Sequence, residues 1–194
     1  MRASSVERVT SETSIRVLLE IDGPSEARID TGVGFFDHML DAFVRHGCFG
    51  ADIEARGDVQ VDDHHTVEDV GIAMGRAFRE ALGDKRGIRR FGTAFVPMDE
   101  SLVMACVDIS GRGQAFYEVD PGVERIGFFD AQLAKEFFVA FAREAGVTLH
   151  MRLMCGENGH HIVEAAFKAC ARALREAAEA DPRVEGIPST KGAL

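Results

Sequence analysis

The chain has 194 residues, of which 46% are hydrophobic and 28% are charged. This composition is typical of a globular protein, and a chain of this length buries roughly 70% of its unfolded surface, so its core needs no disulfide or metal. The formal net charge of −10 argues against binding to a nucleic-acid backbone, which draws on clustered Lys and Arg.

No apolar run in the sequence approaches the roughly 20 residues that cross a bilayer, so we expect no membrane association. The first 15 residues lack the apolar core of a secretory signal, which favours a cytoplasmic location. The four cysteines are widely spaced and form no CxxC pair, in agreement with that location.

In the first half of the chain, the pattern predicts two strands, a helix, a strand and a second helix. Residues 14–21 alternate between apolar and polar positions, as a half-buried strand does, and a second strand follows the DGPSE turn. Helical spacing of apolar residues predicts a helix over 34–46, followed by a strand over 51–61 with a break at Gly57. The next helix is predicted to begin with Asp62 or Asp63 as its N-cap.

The second half is predicted to repeat this arrangement of strands and helices. Strands are expected near 93–98, 102–109, 114–119 and 147–155, with helices through 128–146 and from about Asn158. Each half would then have one sheet face to cover, and two such halves would most simply join their apolar faces. We therefore expect an α+β fold of two tandem pseudo-symmetric repeats, with the helices packed between the two small sheets.

A long motif occurs in both halves. The string HHxVExxxxAxxRAxREA begins at His64 and again at His160, at a constant offset of 96 residues. Two similar helices could share the alanines and arginines, but no packing rule requires that both begin with His-His and carry a glutamate four positions after the first histidine. The repetition therefore indicates a duplicated metal site.

Helix geometry places the two histidines and the glutamate of each motif in one stripe. His64, His65 and Glu68 project at about 0°, 100° and 40°, so the two imidazoles diverge and each could hold a different ion. His160, His161 and Glu164 repeat this geometry. Aligning the halves through Ala-Phe pairs also sets His38 opposite Glu136.

The resulting set of five histidines and three glutamates suits Mn, Fe or Zn better than the all-oxygen sites of Ca or Mg. For one isolated His-His pair, polar surface near a helix start would be the favoured explanation, and the repetition reverses that preference. The sequence has no HExxH, GxSxG or Walker motif, so a metalloprotease, a serine hydrolase and a P-loop protein have no support. A ferritin-like store would require ExxH on long helices, which is the opposite order.

Ordered motifs along the chain resemble the imidazoleglycerol-phosphate dehydratase family of histidine biosynthesis. They are SETSI at 11–15, DTGVGFFDHML at 30–40, DDHHTVED at 62–69, GIRRFG at 87–92, PMDESL at 97–102, SGR at 110–112, GENGHHIVEA at 156–165 and PSTKGAL at 188–194. The resemblance runs from about Arg8 to the end. It implies one domain over 1–194, with repeats of approximately 8–92 and 93–194, each half resembling ribosomal protein S5 domain 2.

The resemblance implies two Mn²⁺ ions per active site, at the subunit interfaces of a homo-oligomer, a 24-mer. The ligands would be His38, His64, His65, Glu68, His160, His161 and Glu164. Family members often have histidine where Glu136 stands, and the symmetry with His38 supports Glu136 as the eighth ligand.

The implied reaction dehydrates imidazole-glycerol phosphate to imidazole-acetol phosphate, and its C–H bond has no adjacent carbonyl to acidify it. Metal binding to the imidazole ring would supply that activation. Glu12, reaching an adjoining subunit, would carry the proton, with His46 as a second candidate. Arg90, Arg112, Ser189 and Lys191 would bind the phosphate.

Glu12 would also contact the substrate, together with the metal-site residues His38, His64, His65 and Glu68. The alternative is a noncatalytic oligomeric metal-binding protein that keeps the ligand array but has no turnover. Such a store would need neither a proton carrier such as Glu12 nor an anion-binding group such as Arg90, Arg112 and Lys191. Their presence favours the enzyme.

Overall fold

A computed structural model describes residues 1–192 and 194, and within this part the chain forms four helices, two four-stranded sheets and a two-stranded hairpin. The first half contains β1 (Ala3–Val9), β2 (Thr13–Glu20), β3 (Ala27–Asp30), α1 (Gly34–His46), β4 (Gly50–Gly57) and α2 (His64–Leu82). Its sheet has the order β1-β2-β4-β3, in which β3 pairs parallel to β4 and the other pairs are antiparallel.

The second half repeats this topology. It contains β5 (Phe91–Met98), β6 (Ser101–Asp108), β7 (Gln114–Glu118), the hairpin strands β8 (Arg125–Ile126) and β9 (Phe129–Asp130), α3 (Leu133–Ala145), β10 (Thr148–Cys155) and α4 (Gly159–Ala178). The sheet order is β5-β6-β10-β7, in which β7 pairs parallel to β10 as β3 does to β4. The predicted α+β fold of two tandem repeats is confirmed.

The helices lie between the two sheets and form the shared core. In the first half α2 packs on β1 and β2, in the second half α4 packs on β5 and β6, and across the halves α2 packs on α3 and α1 on α4. Buried phenylalanines from both halves meet here, with Phe36 and Phe43 of α1 against Phe137 of α3. Within residues 1–192 and 194, no helix has the length and apolar character of a membrane span.

Two glycines allow α2 to approach α3 closely. A Cβ added at Gly71 would lie 2.8 Å from the carbonyl oxygen of Phe137, and one added at Gly75 would lie 2.6 Å from that of Phe141. These distances are shorter than real Cβ contacts. The close approach packs the middle of α2 against α3.

Three local predictions were wrong or incomplete. The sequence pattern predicted no strand over residues 3–9, and β1 has only Val6 buried, so its apolar alternation is too weak to read. The helix predicted over 128–146 begins only at Leu133, because residues 125–130 form the β8–β9 hairpin. The strand predicted over 51–61 with a break at Gly57 ends at that glycine. The predicted N-cap of α2 is confirmed, since Asp63 is the N-cap residue, and the side chain of Asp62 accepts a hydrogen bond from the backbone N–H of His64.

Candidate metal and substrate site

The structure brings three of the predicted ligands together between α1 and α4. His38 of α1 and His160 and Glu164 of α4 place their ligand atoms within 4.8 Å of one another, the one such group of three among the described residues. Oε2 of Glu164 lies 3.2 Å from Nε2 of His160 and 3.5 Å from Nε2 of His38. Two imidazole nitrogens and a carboxylate oxygen therefore converge on one point.

The donor set fits a divalent transition metal. Neutral imidazole and carboxylate suit Mn, Fe or Zn, and each of the three residues offers one donor atom at this point. The second oxygen of Glu164, Oε1, accepts from Nζ of Lys168 at 2.5 Å. This ion pair holds the carboxylate so that Oε2 faces the two imidazoles.

The charge on Glu164 is stabilised although the side chain is buried. Burial acts to raise its pKa, but the ammonium of Lys168 and the imidazoles of His38 and His160 outweigh burial and hold the pKa below its usual value. The carboxylate is thus ionised near neutral pH, as a metal ligand must be.

The corresponding residues of the first repeat are less tightly grouped. Nε2 of His64 lies 4.0 Å from Oε2 of Glu68, and Oε1 of Glu68 faces the guanidinium of Arg143 at 3.8 Å. Glu136 is half-buried on the first turn of α3 and, among the described residues, belongs to no group of three ligands. One chain therefore offers one compact set of donors and one partial set.

The second histidine of each motif, His65 in the first and His161 in the second, points away from these sets. We call these two residues the outer histidines. The imidazole rings of His64 and His65 are 6.2 Å apart with an interplanar angle of 83°, and those of His160 and His161 are 6.2 Å apart at 81°. The near-perpendicular rings agree with the divergence that helix geometry imposes on adjacent residues. The two imidazoles of one pair are not directed at a common point.

Each outer histidine has a carboxylate beside Nδ1. Asp58 lies 3.1 Å from Nδ1 of His65, and Glu100 lies 2.8 Å from Nδ1 of His161. The hydrogen bond with Asp58 raises the pKa of His65, and the bond with Glu100 raises that of His161. Neither carboxylate was among the predicted site residues.

The two candidate proton carriers occupy different places. Glu12 lies in the turn between β1 and β2, half exposed, with Oε2 3.8 Å from Nδ1 of His65. His46 is the last residue of α1, two turns beyond His38, which is about 12 Å along the helix axis. Burial, together with the nearby charges of Lys168 and Arg172, lowers the pKa of His46.

Two of the predicted anion-binding residues, Arg90 and Arg112, lie beside Asp108 at the end of β6. Nε of Arg90 donates to Asp108 at 2.7 Å, and its Nη1 donates to the carbonyl of Pro188 at 2.8 Å. Nη2 of Arg112 lies 3.6 Å from Asp108, and its side chain is 64% exposed. Arg90 thereby ties the segment that carries Ser189 and Lys191 to this end of the sheet.

Within one chain, the anion-binding group is far from the histidines. Glu100, which contacts His161, precedes β6, and Asp108 ends it, seven residues and about 24 Å from Ser101. The backbone N–H of Arg90 donates to the carbonyl of Ala177, which is about 25 Å along α4 from His160. A small substrate cannot span this distance within one chain.

A family model described as imidazoleglycerol-phosphate dehydratase matches residues 31–174. The chain belongs to the imidazoleglycerol-phosphate dehydratase family. This membership confirms the resemblance and the prediction of an enzyme of the carbon–oxygen lyase class.

Relatives of this family match the whole chain. The imidazoleglycerol-phosphate dehydratase of Gluconacetobacter diazotrophicus is 59% identical over 194 residues, covering 100% of this chain and 98% of that protein. That of Caldanaerobacter subterraneus is 54% identical and covers 100% of both. The similarity to these two relatives thus extends over nearly their whole length.

Solved structures of the family have the same fold. The crystal structure of imidazoleglycerol-phosphate dehydratase from Staphylococcus aureus superposes with a TM-score of 0.82 at 40% identity, covering 92% of this chain and 99% of that one. The Pyrococcus furiosus structure gives 0.83 at 40% identity, covering 97% and 100%. At this identity the fold agreement is accompanied by clear sequence relatedness.

Three residues of the candidate site, Lys168, Asp58 and Glu100, were not predicted from the sequence. Lys168 could have been found from its helical i,i+4 spacing to Glu164, which places the two side chains on one face. Asp58 and Glu100 had no such signal. Asp58 lies in the irregular connection between β4 and α2, and Glu100 reaches His161 from the distant β5–β6 turn.

Proposed function

We propose that this protein removes water from imidazole-glycerol phosphate to give imidazole-acetol phosphate in histidine biosynthesis. The observation that carries the proposal is the convergence of His38, His160 and Glu164 in a chain that belongs to the imidazoleglycerol-phosphate dehydratase family. A compact imidazole–carboxylate set is suited to bind a metal that in turn binds the imidazole of a substrate.

We propose two Mn²⁺ ions per active site, one beside Glu164 and one beside Glu68. His65 and His161, which point away from these sets in their own chain, would bind an ion at a site shared with a neighbouring chain. The proposed ligands are His38, His64, His65, Glu68, Glu136, His160, His161 and Glu164. The divergent rings within each His-His pair support two ions, since one ion could not easily contact both imidazoles of a pair. A bound divalent cation supplies Lewis acidity toward a ring nitrogen of the substrate.

In this proposal Glu12 accepts and returns the proton of the substrate side chain. Its carboxylate is half exposed and lies 3.8 Å from Nδ1 of His65, beyond hydrogen-bond length, so it is free to reach a substrate atom. The lowered pKa of His46 keeps that imidazole neutral at pH 7, which also suits proton transfer. We place His46 second because it lies about two turns from His38.

The phosphate would be bound by Arg90, Arg112, Ser189 and Lys191. Three of the five N–H donors of Arg90 are used within the chain, by Asp108 and Pro188, which leaves two for phosphate oxygens. The guanidinium of Arg112 is exposed and has only a distant contact to Asp108, so it can turn toward a phosphate.

We further propose that the active sites form between subunits of a homo-oligomer, a 24-mer. The separation of about 25 Å between the anion-binding group and the histidines within one chain supports this, since the substrate is smaller than that distance. His38, His64, His65 and Glu68 would contact the substrate from one chain, and Glu12 would reach this site from an adjoining subunit. The cationic side chains of Arg90, Arg112 and Lys191 would also come from a neighbouring chain. We also propose one domain over residues 1–194, built of repeats 8–92 and 93–194, in the cytoplasm.

The direct test is detection of imidazole-acetol phosphate from imidazole-glycerol phosphate with purified protein, first stripped of metal and then given Mn²⁺. We expect product only after Mn²⁺ is restored. Tight Mn²⁺ binding with no product would favour the alternative, a noncatalytic metal-binding oligomer. Full turnover in the stripped protein would contradict the metal dependence.

A further inference from the structure

The turn before the second strand of each sheet ends in a glutamate. Glu12 immediately precedes β2, and Glu100 immediately precedes β6, so the two carboxylates occupy equivalent places in the two repeats. Each lies beside the outer histidine of its own repeat, Glu12 beside His65 and Glu100 beside His161. Their contacts nevertheless differ.

Glu100 is held by several donors. Its Oε1 accepts from the hydroxyl of Ser101 at 2.8 Å and from the backbone N–H groups of Asn158 and Glu157 at 2.9 and 3.3 Å. Its Oε2 lies 2.8 Å from Nδ1 of His161. The carboxylate thus joins the β5–β6 turn to the start of α4 and has little freedom to move.

In the first repeat, Asp58 instead supplies the carboxylate that contacts Nδ1 of the outer histidine. It follows β4 directly, and its two oxygens lie 3.1 and 3.2 Å from Nδ1 of His65. The Glu12 carboxylate approaches the same nitrogen only to 3.8 Å. The two repeats therefore satisfy equivalent histidine nitrogens with carboxylates from different loops.

We propose that Glu100 is a positioning residue for His161, and Asp58 for His65. An ionised carboxylate only accepts hydrogen bonds, so each one fixes the proton of its imidazole on Nδ1 and leaves the lone pair of Nε2 for a divalent cation. The inference rests on the proposed ligation of metal by the two outer histidines. It deepens that proposal by assigning the groups that orient these ligands.

The difference between the repeats gives Glu12 its freedom. Because Asp58 occupies Nδ1 of His65, the carboxylate of Glu12 is left without that bond, whereas its counterpart Glu100 is fixed in the second repeat. Only the first-repeat carboxylate is thus suited to a step that needs movement toward a substrate. Of the two equivalent glutamates, Glu100 is a fixed hydrogen-bond acceptor and Glu12 is not.

Glu100→Gln tests the assignment with little change in shape. The amide oxygen can still accept from Asn158 and Ser101, but the amide N–H₂ would face Nδ1 of His161 and favour the tautomer with the proton on Nε2. Mn²⁺ affinity is measured by calorimetry on the intact, metal-stripped protein for the wild type, Glu100→Gln, His161→Ala and the double variant. The matched control is Glu118→Gln, since Glu118 of β7 forms an exposed ion pair with Arg152 of β10.

We expect Glu100→Gln to weaken Mn²⁺ binding at one class of sites by about 10–100-fold, as removal of ligand-orienting carboxylates does elsewhere. Glu118→Gln should have no effect. In the His161→Ala background the Glu100 substitution should cause no further loss, because Glu100 acts through that imidazole.

Two results overturn the inference while leaving the metal site in place. One is unchanged affinity in Glu100→Gln although His161→Ala weakens binding, and the other is an equal loss from Glu100→Gln in both backgrounds. Unchanged affinity in His161→Ala would instead contradict the proposed ligand set itself.

Discussion

Replacing Gly75 with Ala tests the close contact between α2 and α3. The added Cβ would lie 2.6 Å from the carbonyl oxygen of Phe141, 2.9 Å from Cβ of Glu144 and 3.0 Å from the backbone nitrogen of Ala145. Two of these three atoms belong to the backbone of α3, so no side-chain rotation relieves the contact. The helices must move apart.

Two opposing effects decide whether Gly75→Ala stabilises or destabilises the fold. Alanine in place of glycine in a helix interior stabilises by about 1 kcal/mol. Overpacking of a filled core costs about 1–3 kcal/mol, and the contact with backbone places this site in the upper part of that range. We therefore expect a net loss of about 1–2 kcal/mol, which for a chain of this size lowers Tm by about 2–8 °C.

The assay is thermal unfolding at matched protein concentration, with Gly34→Ala as the control. Gly34 is the exposed first residue of α1, and an added Cβ there meets no atom within 4 Å, so its Tm should be unchanged or slightly raised. A Tm for Gly75→Ala equal to or above that of the control would refute the close packing of α2 on α3.

Four further predictions concern activity, assembly and stability. Glu12→Gln should lower kcat by about 10²–10⁴-fold with metal content and particle size unchanged, and near-normal kcat would remove it from the mechanism. Deletion of residues 188–194 should raise KM for the phosphorylated substrate, and an unchanged KM would exclude a phosphate-binding role for this segment. Chelation should reduce particle size in sedimentation if cations bridge subunits, and an unchanged particle after verified metal removal would reject that coupling. The hydrogen bonds from Arg2 lower the pKa of Asp22 to about 2, so this pair stabilises the fold above pH 3.8 and the stabilisation is lost as the pH falls through about 2. Asp22→Asn should therefore lower the free energy of unfolding by about 1 kcal/mol or less at pH 7, since the pair is partly exposed, and a loss that persists at pH 2 would contradict the electrostatic origin.

Much of the fold could be predicted because its signals are local. The apolar spacing over 34–46 predicts the bounds of α1 as the structure has them, and the repeated motif identifies α2 and α4 as equivalent helices. The strand β1 could not be predicted, since it is held by pairing with β2 and buries one apolar side chain. The pair Phe128–Phe129 continues the apolar pattern of α3, but the hairpin takes both residues out of the helix.

The candidate site also has features that could be predicted from local sequence and features that could not. The His-His-Glu stripe depends on helix geometry alone and could be predicted from spacing, and so could the contact of Lys168 with Glu164. The pairing of Asp58 with His65 could not, because it depends on the path of the irregular connection between β4 and α2. The pairing of Glu100 with His161 depends on where the distant β5–β6 turn lies. The distance between Arg90 and His160 could not be predicted either, because it depends on how α4 packs along its sheet.

The most direct test of the metal site is anomalous diffraction at the manganese edge from crystals grown with Mn²⁺. We expect one peak bounded by Nε2 of His38, Nε2 of His160 and Oε2 of Glu164, and a second peak beside His64 and Glu68. Manganese peaks that lie away from these side chains, with the three donors facing solvent, would contradict it.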